Sequence, residues 1–201
     1  IQNVSMWDCP VSDLAHDNVG FIRRMVENVC SRYPVDPTRL YCCGHSSGGM
    51  MSSDEALFDP QLFAAIAPWS TADYCDGRRP AGEGEVPLFL MRGKLDGTKA
   101  QRDYEDYPFR CNERVKRMFD YFREKYALPQ SPDEYVSGIY HYYQYRDRDG
   151  VPMLSFVDID GMPHAYIPEE AWITYDVFLS RFRREQDGTL YYMGRKVRKH
   201  S

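Results

Sequence analysis

The segment GHSSGG, residues 44–49, places a serine among closely spaced glycines, a pattern that can expose a nucleophile. Its first five residues match G-x-S-x-G, the apolar stretch RLYCC comes directly before it, and a helical stretch follows over 50–58. Strand, tight turn and helix in this order form a nucleophile elbow, where the turn exposes the serine hydroxyl and the helix N-terminus faces it. An inert serine in a glycine-rich loop is the alternative. The flanking strand and helix favour Ser46 as a nucleophile.

A serine hydroxyl reacts only when a base takes its proton, and a carboxylate must orient that base. On an elbow fold the acid and then the histidine follow the serine in the chain. Three histidines follow the elbow: His141 in the aromatic run YHYYQY, His200 next to the last residue, and His164 in a loop after the apolar SFVDI. We predict His164 as the base, with a solvated loop histidine as the alternative.

The orienting carboxylate is predicted to be Asp96, which follows the apolar strand VPLFLM in the loop RGKLDG. Asp158 and Asp160 lie on or beside the strand that leads to the histidine, too close to it in sequence to be preferred. Arg92 or Lys94 offers an alternative, in which the carboxylate of Asp96 forms an ordinary ion pair within its loop.

The elements that must position these side chains are apolar strands alternating with amphipathic helices. The predicted strands cover 39–44, 63–69 and 86–93, a hairpin with the loop RDRDG covers 138–161, and the predicted helices cover 17–33, 50–58, 115–126 and 171–182. Continuously apolar strands that alternate with helices are typical of a mostly parallel sheet covered on both faces. The predicted fold class is therefore α/β.

Length and charge predict one domain over 1–201, with 1–16 as an N-terminal remnant and 184–201 as a basic tail. The net charge is −5, although residues 181–201 contain seven Lys/Arg and only two Asp/Glu. The acidic remainder argues against nucleic acid as a partner. We predict that the basic end is a solvated tail, with a binding patch as the alternative. A separate alternative is that GTLYYMGRKV adds a strand to the main sheet in a rearranged order.

No apolar run approaches the ~20 residues that span a bilayer, so no membrane partner is expected. The first residues, IQNVSMWDCP, lack the basic-then-apolar profile of a signal peptide, so either none existed or it has been removed. No His/Cys cluster has metal-ligand spacing, and we predict no metal or cofactor.

The six cysteines leave the redox state open. Cys42 and Cys43 adjoin within a strand and are predicted to be small buried hydrophobes. Cys9, Cys75 and Cys111 lie in polar stretches and can pair in an oxidising compartment, in an arrangement that the sequence does not reveal.

Four ordered blocks of the chain resemble the feruloyl esterase and polyhydroxyalkanoate depolymerase-like α/β-hydrolases. They are DNVGFIRRMVENVCSRYPVDPTRLYCCGHSSGGMMS, FDPQLFAAIAPWS, VPLFLMRGKLDG and DIDGMPHAYIPEEAWITYDVFLSRF, which together cover most of residues 17–183. The resemblance implies carboxylic-ester hydrolysis through Ser46, Asp96 and His164. It further implies secreted proteins that act on esters of plant polysaccharide or on polyesters.

Other site residues follow from the elbow and its neighbours. The backbone N–H of Ser47 is predicted to stabilise the oxyanion. His45 and Trp69 are predicted to contact the substrate. Trp69 ends the strand FAAIAPW on the same edge as the elbow, and packing in the core is its alternative role.

The chain departs from the family pattern in two places. Arg92-Gly93 replaces the His-Gly pair that commonly precedes the acid in this family. In such hydrolases the first strands, and the His-Gly loop with the second oxyanion N–H, precede the first helix, but only about sixteen residues precede it here. We therefore expect that this is a C-terminal portion of a longer protein, or that another segment or chain completes the sheet, and that the chain alone is weakly active.

Two other functions fit the same residues. A serine peptidase of this fold would use the same three groups, because they serve amides and esters alike. A non-catalytic domain that binds a ligand on a hydrolase-like scaffold is the second alternative.

Overall fold

The computed structural model describes Trp7 and residues 17–71, 82–97 and 107–200. The helices are α1 (Asn18–Arg32), α2 (Ser47–Phe58), α3 (Glu113–Lys125) and α4 (Pro168–Trp172), the last of which continues as a π-helical turn over Ile173–Phe178 and a 3-10 turn over Leu179–Arg181. The strands are β1 (Tyr41–His45), β2 (Ala65–Trp69), β3 (Leu88–Gly93), β4 (Asp133–Ser137), β5 (Tyr140–Arg146), β6 (Pro152–Ile159), β7 (Phe182–Arg184), β8 (Leu190–Tyr192) and β9 (Arg195–Lys196).

The main sheet has six strands in the order β1-β2-β3-β6-β5-β4. The first four run parallel, β5 pairs antiparallel with β6, and β4 pairs antiparallel with β5, so β5 alone runs against the other five strands of this sheet. Strands β3 and β6 are buried along their whole length, as expected for strands covered on both faces. The predicted α/β class is confirmed.

Capping and proline residues set the helix boundaries. The side chain of Asp17 accepts a hydrogen bond from Gly20 N at 2.8 Å at the start of α1, and the helix ends just before Pro34. Asn112 caps α3 in the same way, accepting from Val115 N at 3.1 Å. These polar side chains satisfy backbone N–H groups that have no partner within the helix.

The core lies between β2, β3, β6 and the helices that cover them. The apolar stripe predicted for α3 is fully buried and consists of Val115, Met118, Phe119 and Phe122. Phe109 stacks on Phe156 of β6 with ring centroids 4.1 Å apart. Helix α1 is attached differently, because an ion pair from Arg23 to Asp59 joins it to the end of α2.

Strand β1 forms an edge of the main sheet, and within the described ranges β2 is the strand that pairs with it. Helix α1, which packs against α2, has no buried residue and exposes the apolar Phe21, Met25 and Val29. The strand expected on the other side of β1 is therefore not among the described residues. Completion of the sheet by another segment or chain stays a prediction.

The C-terminal end is not a solvated tail, so that prediction was wrong. Strands β7, β8 and β9 form a separate antiparallel sheet, and Leu190 and Val197 are buried in the core. The positive charge of Arg184 is held by backbone carbonyls, including those of Phe63 at 2.9 Å and Gly188 at 3.1 Å. The alternative that GTLYYMGRKV adds a strand to the main sheet is also wrong, because among the described residues β8 pairs with β7 and β9, and neither β8 nor β9 belongs to the main sheet.

The cysteine predictions had mixed outcomes. Cys42 is partly buried and its thiol lies 3.5 Å from Ser52 Oγ, whereas Cys43 is exposed on the other face of the edge strand β1. The prediction that Cys43 is buried was wrong, because β1 lacks cover on that face among the described residues. Cys9 and Cys75 lie outside the described residues, so the disulfide prediction is not tested.

Candidate active site

Ser46 lies on a sharp turn between β1 and α2, with φ 55° and ψ −118°. This left-handed region is rare for a residue with a side chain and indicates a strained turn. A Cβ on Gly44 would lie 2.5 Å from the backbone of Gly48, and one on Gly49 would lie 2.7 Å from Trp69 O. The glycines therefore let the strand, the turn and the start of α2 pack backbone against backbone, which confirms the predicted elbow geometry.

The three side chains predicted to act together are in contact. His164 Nε2 lies 2.9 Å from Ser46 Oγ, and His164 Nδ1 lies 2.9 Å from Asp96 Oδ1. An ionised carboxylate only accepts hydrogen bonds, so Nδ1–H donates to Asp96. Nε2 is then left with its lone pair facing the serine hydroxyl, as a base requires.

The strand register brings these groups together from distant parts of the chain. His45 opposes Trp69 in β1 and β2, and Trp69 opposes Met91 in β2 and β3. The carboxyl ends of the parallel strands therefore meet at one edge of the sheet. Ser46 follows β1 at that edge, and Asp96 lies in the turn after β3.

Backbone contacts fix the histidine loop against the acid loop. Lys94 N donates to Ile159 O at 2.9 Å, and Leu95 N donates to Met162 O at 2.9 Å. A Cβ on Gly93 would lie 2.0 Å from Met162 O, so the close approach of the two loops requires glycine there. His164 follows Met162 by two residues and is held in reach of Asp96 as a result.

The acid is buried and the base is accessible. The side chain of Asp96 is 7% exposed, whereas that of His164 is 47% exposed. Arg92 Nε lies 3.9 Å from Asp96 Oδ2, and Lys94 Nζ instead binds Asp160 at 2.5 Å. Asp96 therefore forms the loop ion pair with Arg92 that was the alternative, and it contacts His164 at the same time.

The other histidines and aspartates are engaged elsewhere. His141 Nε2 lies 2.9 Å from Asp160, and His200 Nδ1 lies 2.9 Å from Glu85. Asp158 is buried in β6, and burial raises its pKa to about 6.

The remaining predicted site residues flank the serine. Ser47 begins α2, so its backbone N–H belongs to the first turn, where no carbonyl of the helix can accept it. The ring of His45 lies 5.0 Å from that of His164. Burial, together with the charge of His164, lowers the pKa of His45. Trp69 Nε1–H donates to Thr174 Oγ1 at 3.1 Å, which is a packing role. A substrate contact of Trp69 stays a prediction.

One aromatic residue beside the site escaped the sequence reasoning. Tyr166 is 70% exposed, and its ring lies 5.5 Å from that of His45 in an edge-to-face arrangement. Its position two residues after His164 was the signal that could have identified it.

A cavity of about 650 Å³ lies away from these groups and includes Gln61, Lys125 and Arg184 in its lining. None of the predicted site residues lines it. We locate the candidate site at Ser46 because three chemically matched side chains converge there, whereas the cavity shows no such convergence.

The described ranges contain neither a metal-binding cluster of side chains nor a membrane-spanning helix. No group of three or more His, Cys, Asp or Glu side chains in them is arranged to hold a metal ion. No helix in them is long and apolar enough to cross a bilayer.

Comparisons with known proteins give relatives with names of ester hydrolases. No protein-family model matches the chain. The chain is 28% identical over 170 residues to a protein named poly(3-hydroxyalkanoate) depolymerase C from Paucimonas lemoignei, covering 71% of this chain and 39% of that protein. It is 31% identical over 83 residues to feruloyl esterase B from Piromyces equi, covering 40% of this chain and 16% of that protein.

A solved structure shares the fold. The acetyl xylan esterase from Aspergillus awamori superposes with a TM-score of 0.55 at 18% identity, over 78% of this chain and 66% of the esterase. The chain spans well under half the length of each of the two sequence relatives described above. It has the α/β-hydrolase fold, and its sequence is similar to that of a polyhydroxyalkanoate depolymerase and that of a feruloyl esterase, as the four blocks predicted.

Proposed function

We propose that this protein is a carboxylic-ester hydrolase that forms an acyl-enzyme on Ser46. The observation that carries the proposal is the pair of 2.9 Å contacts from Ser46 Oγ to His164 Nε2 and from His164 Nδ1 to Asp96. A buried carboxylate, an accessible imidazole and a hydroxyl on a strained turn are the parts that acyl transfer needs.

The first half of the reaction transfers the acyl group to the enzyme. His164 Nε2 takes the proton of Ser46 as Oγ attacks the carbonyl carbon, and Asp96 stabilises the imidazolium. The tetrahedral oxyanion is held by the N–H of Ser47. Its collapse breaks the bond to the alcohol, which leaves with the proton from His164.

The second half returns the enzyme to its starting state. Water attacks the acyl-enzyme, gives its proton to His164, and the acid product leaves as Ser46 recovers that proton. A second oxyanion donor is proposed to come from another segment or chain, and the lack of one such donor costs about 10²–10³ in rate.

The substrate class is proposed from the names of the relatives, a polyhydroxyalkanoate depolymerase and a feruloyl esterase. We propose feruloyl- or acetyl-type esters of plant polysaccharide, or polyesters, as substrates. Secretion is part of the proposal, because an enzyme must leave the cell to reach a polymeric substrate outside it.

The test is the change Ser46→Ala. We expect turnover of p-nitrophenyl acetate and of a feruloyl ester to fall by at least about 10³-fold, because the nucleophile is lost. Ser31→Ala is the matched control, since Ser31 Oγ only bonds Asn28 O on the exposed face of α1. Undiminished turnover in the Ser46 variant overturns the proposal.

A second measurement separates the alternative functions. A fluorophosphonate probe should label Ser46 in the unmodified chain, as mass spectrometry of the labelled peptide would show. Absence of labelling favours a non-catalytic binding domain. Faster cleavage of peptide anilides than of p-nitrophenyl esters favours a peptidase.

A further inference from the structure

The guanidinium of Arg92 lies next to the predicted acid on the inner side of its loop. Its Nη2 donates to the backbone oxygen of Asp96, and its Nε lies 3.9 Å from Asp96 Oδ2. Both side chains are buried, with 6% of Arg92 and 7% of Asp96 exposed. Arg92 therefore contacts both the main chain and the carboxylate of the residue that binds His164.

The two carboxylate oxygens of Asp96 have different surroundings. Oδ1 faces His164 Nδ1, whereas Oδ2 is buried and accepts no hydrogen bond from any described residue. A buried anionic oxygen without a donor is costly unless a cation compensates it. Arg92 is placed to supply that compensation, since its charge is permanent over the physiological pH range.

The neighbouring strands fix the position of Arg92. It opposes Asp158 in the register of β3 and β6, and Asp158 in turn opposes His141 of β5. Arg92 is thus the second-to-last residue of the central strand β3, and the buried carboxyl group of Asp158 lies beside it. Its side chain has little freedom, because β3 is buried from end to end.

We propose that Arg92 is a positioning residue for the proposed ester hydrolysis, holding the carboxylate of Asp96 turned so that Oδ1 faces His164. The inference rests on the proposed function. Arg92 donates no hydrogen bond to Ser46 or His164, so it acts through Asp96. A purely structural role is the rival explanation, and the two differ in their dependence on pH.

Removal of the guanidinium changes the balance of charge around the base. Without this positive charge, protonation of the His164 imidazole meets less electrostatic repulsion. Since the reaction needs the neutral imidazole, the acid limb of the rate profile should move to higher pH. A merely structural loss would lower the rate at every pH by the same factor.

The experiment uses the full chain and compares Arg92→Met, Arg92→Lys and Lys94→Met. Lys94 is the matched control, because its side chain carries the same charge two residues away and forms its ion pair with Asp160 at the surface. The readouts are kcat and KM for p-nitrophenyl acetate and the rate of fluorophosphonate labelling of Ser46 from pH 5 to pH 9. Thermal unfolding checks that each variant is folded.

For Arg92→Met we expect kcat and the labelling rate to fall about 10–100-fold, KM to stay within about twofold, and the acid limb to move to higher pH. Arg92→Lys should keep the wild-type acid limb but lose at least about threefold in rate, because the fork that grips the backbone of Asp96 is gone. Lys94→Met should match the unmodified chain.

Several results would overturn the inference. One is a wild-type rate and an unmoved acid limb in Arg92→Met; another is an equal shift in Lys94→Met. If Arg92→Met does not fold, a wild-type rate in Arg92→Lys overturns it as well. Failure of the unmodified chain to label at Ser46 would instead reject the proposed function, and this inference with it.

Discussion

Backbone close approach sets the spacing of the candidate site at the scale of single residues. Gly44 and Gly49 admit the main chain of the elbow, and Gly93 admits the main chain of the histidine loop. The left-handed φ of Ser46 costs about 1–3 kcal/mol, and such strain persists only where the surroundings enforce it. These glycines allow the surroundings to do so.

The change Gly93→Ala tests this reasoning. The added Cβ would lie 2.0 Å from Met162 O, a backbone atom that can move only with its loop. We expect the free energy of unfolding, measured with urea, to drop by about 1–3 kcal/mol. Labelling of Ser46 by the fluorophosphonate should also slow, because His164 moves with that loop.

The control for this change is Gly48→Ala. A Cβ on Gly48 meets nothing within 4 Å, and alanine is the better helix former by about 1 kcal/mol. Gly48→Ala should therefore leave the free energy of unfolding unchanged or raise it. An equal loss in both variants would contradict the steric explanation.

The elements of the sequence that carried apolar periodicity were predictable, and those without it were not. Helix α3 was predicted from its buried stripe, and β3 from its continuous apolar run. Strand β4 was missed because it is exposed at every residue, so its composition, DEYVS, contains no core-facing alternation. The small sheet of β7, β8 and β9 was not predicted, because its strands are only two or three residues long and GTLYYMGRKV was considered only as a strand of the main sheet.

The same division applies to the candidate site. Chain order and local context predicted Ser46, Asp96 and His164, because nucleophile, acid and base each follow a strand. The role of Arg92 could not be resolved in this way. Its contact with Asp96 depends on how the turn after β3 folds back, which no pattern within the sequence determines.

Helix α2 contains a buried glutamate whose ionisation should make the stability of the fold depend on pH. Glu55 is fully buried, and neither carboxylate oxygen has a hydrogen-bond partner among the described residues. Burial, and secondly the charge of Asp59, raise its pKa to about 8. The unfolded chain releases this proton near pH 4.5, so between pH 4.5 and 8 the folded state holds the extra proton. Folding should therefore weaken as pH rises through this range.

Glu55→Gln removes that proton equilibrium. We expect the free energy of unfolding of the unmodified chain to fall between pH 5 and pH 9 by on the order of 3 kcal/mol more than that of the variant. Urea unfolding at several pH values measures the difference. Glu124→Gln on the exposed face of α3 should leave the pH dependence unchanged, and parallel profiles for Glu55→Gln and the unmodified chain would contradict the argument.

In the whole molecule, the two ends of the parallel strands have different roles. The candidate site lies at their carboxyl ends, and the small C-terminal sheet contacts the chain at their amino ends. His200 makes the last of these contacts, with Nδ1 2.9 Å from Glu85 Oε2 and Nε2 3.3 Å from Asp147 Oδ2. Glu85 precedes β3 and Asp147 lies between β5 and β6, so one imidazole joins the chain terminus to two parts of the sheet.

This contact should stabilise the fold in a way that depends on the charge of His200. The hydrogen bond to Glu85, together with the charges of Glu85 and Asp147, raises the pKa of His200 above 6.5, while burial opposes the shift. The stabilisation is therefore fully present below pH 6.5 and is lost as pH rises through the raised pKa. The other groups nearby include the phenol of Tyr126, whose ring lies 5.8 Å away, and the cations Lys125 and Arg184.

His200→Gln should abolish this contribution while it keeps a polar side chain of similar size. At pH 6 we expect the variant to unfold with about 1.5–3 kcal/mol less free energy than the unmodified chain, the range for a hydrogen bond to a charged group. The deficit should shrink at pH 9, where the imidazole of the unmodified chain is neutral. His141→Gln is the control, since that histidine pairs with a half-exposed aspartate at the surface. A deficit of the same size at both pH values would show that His200 contributes packing alone and that its charge does not hold the C-terminal sheet.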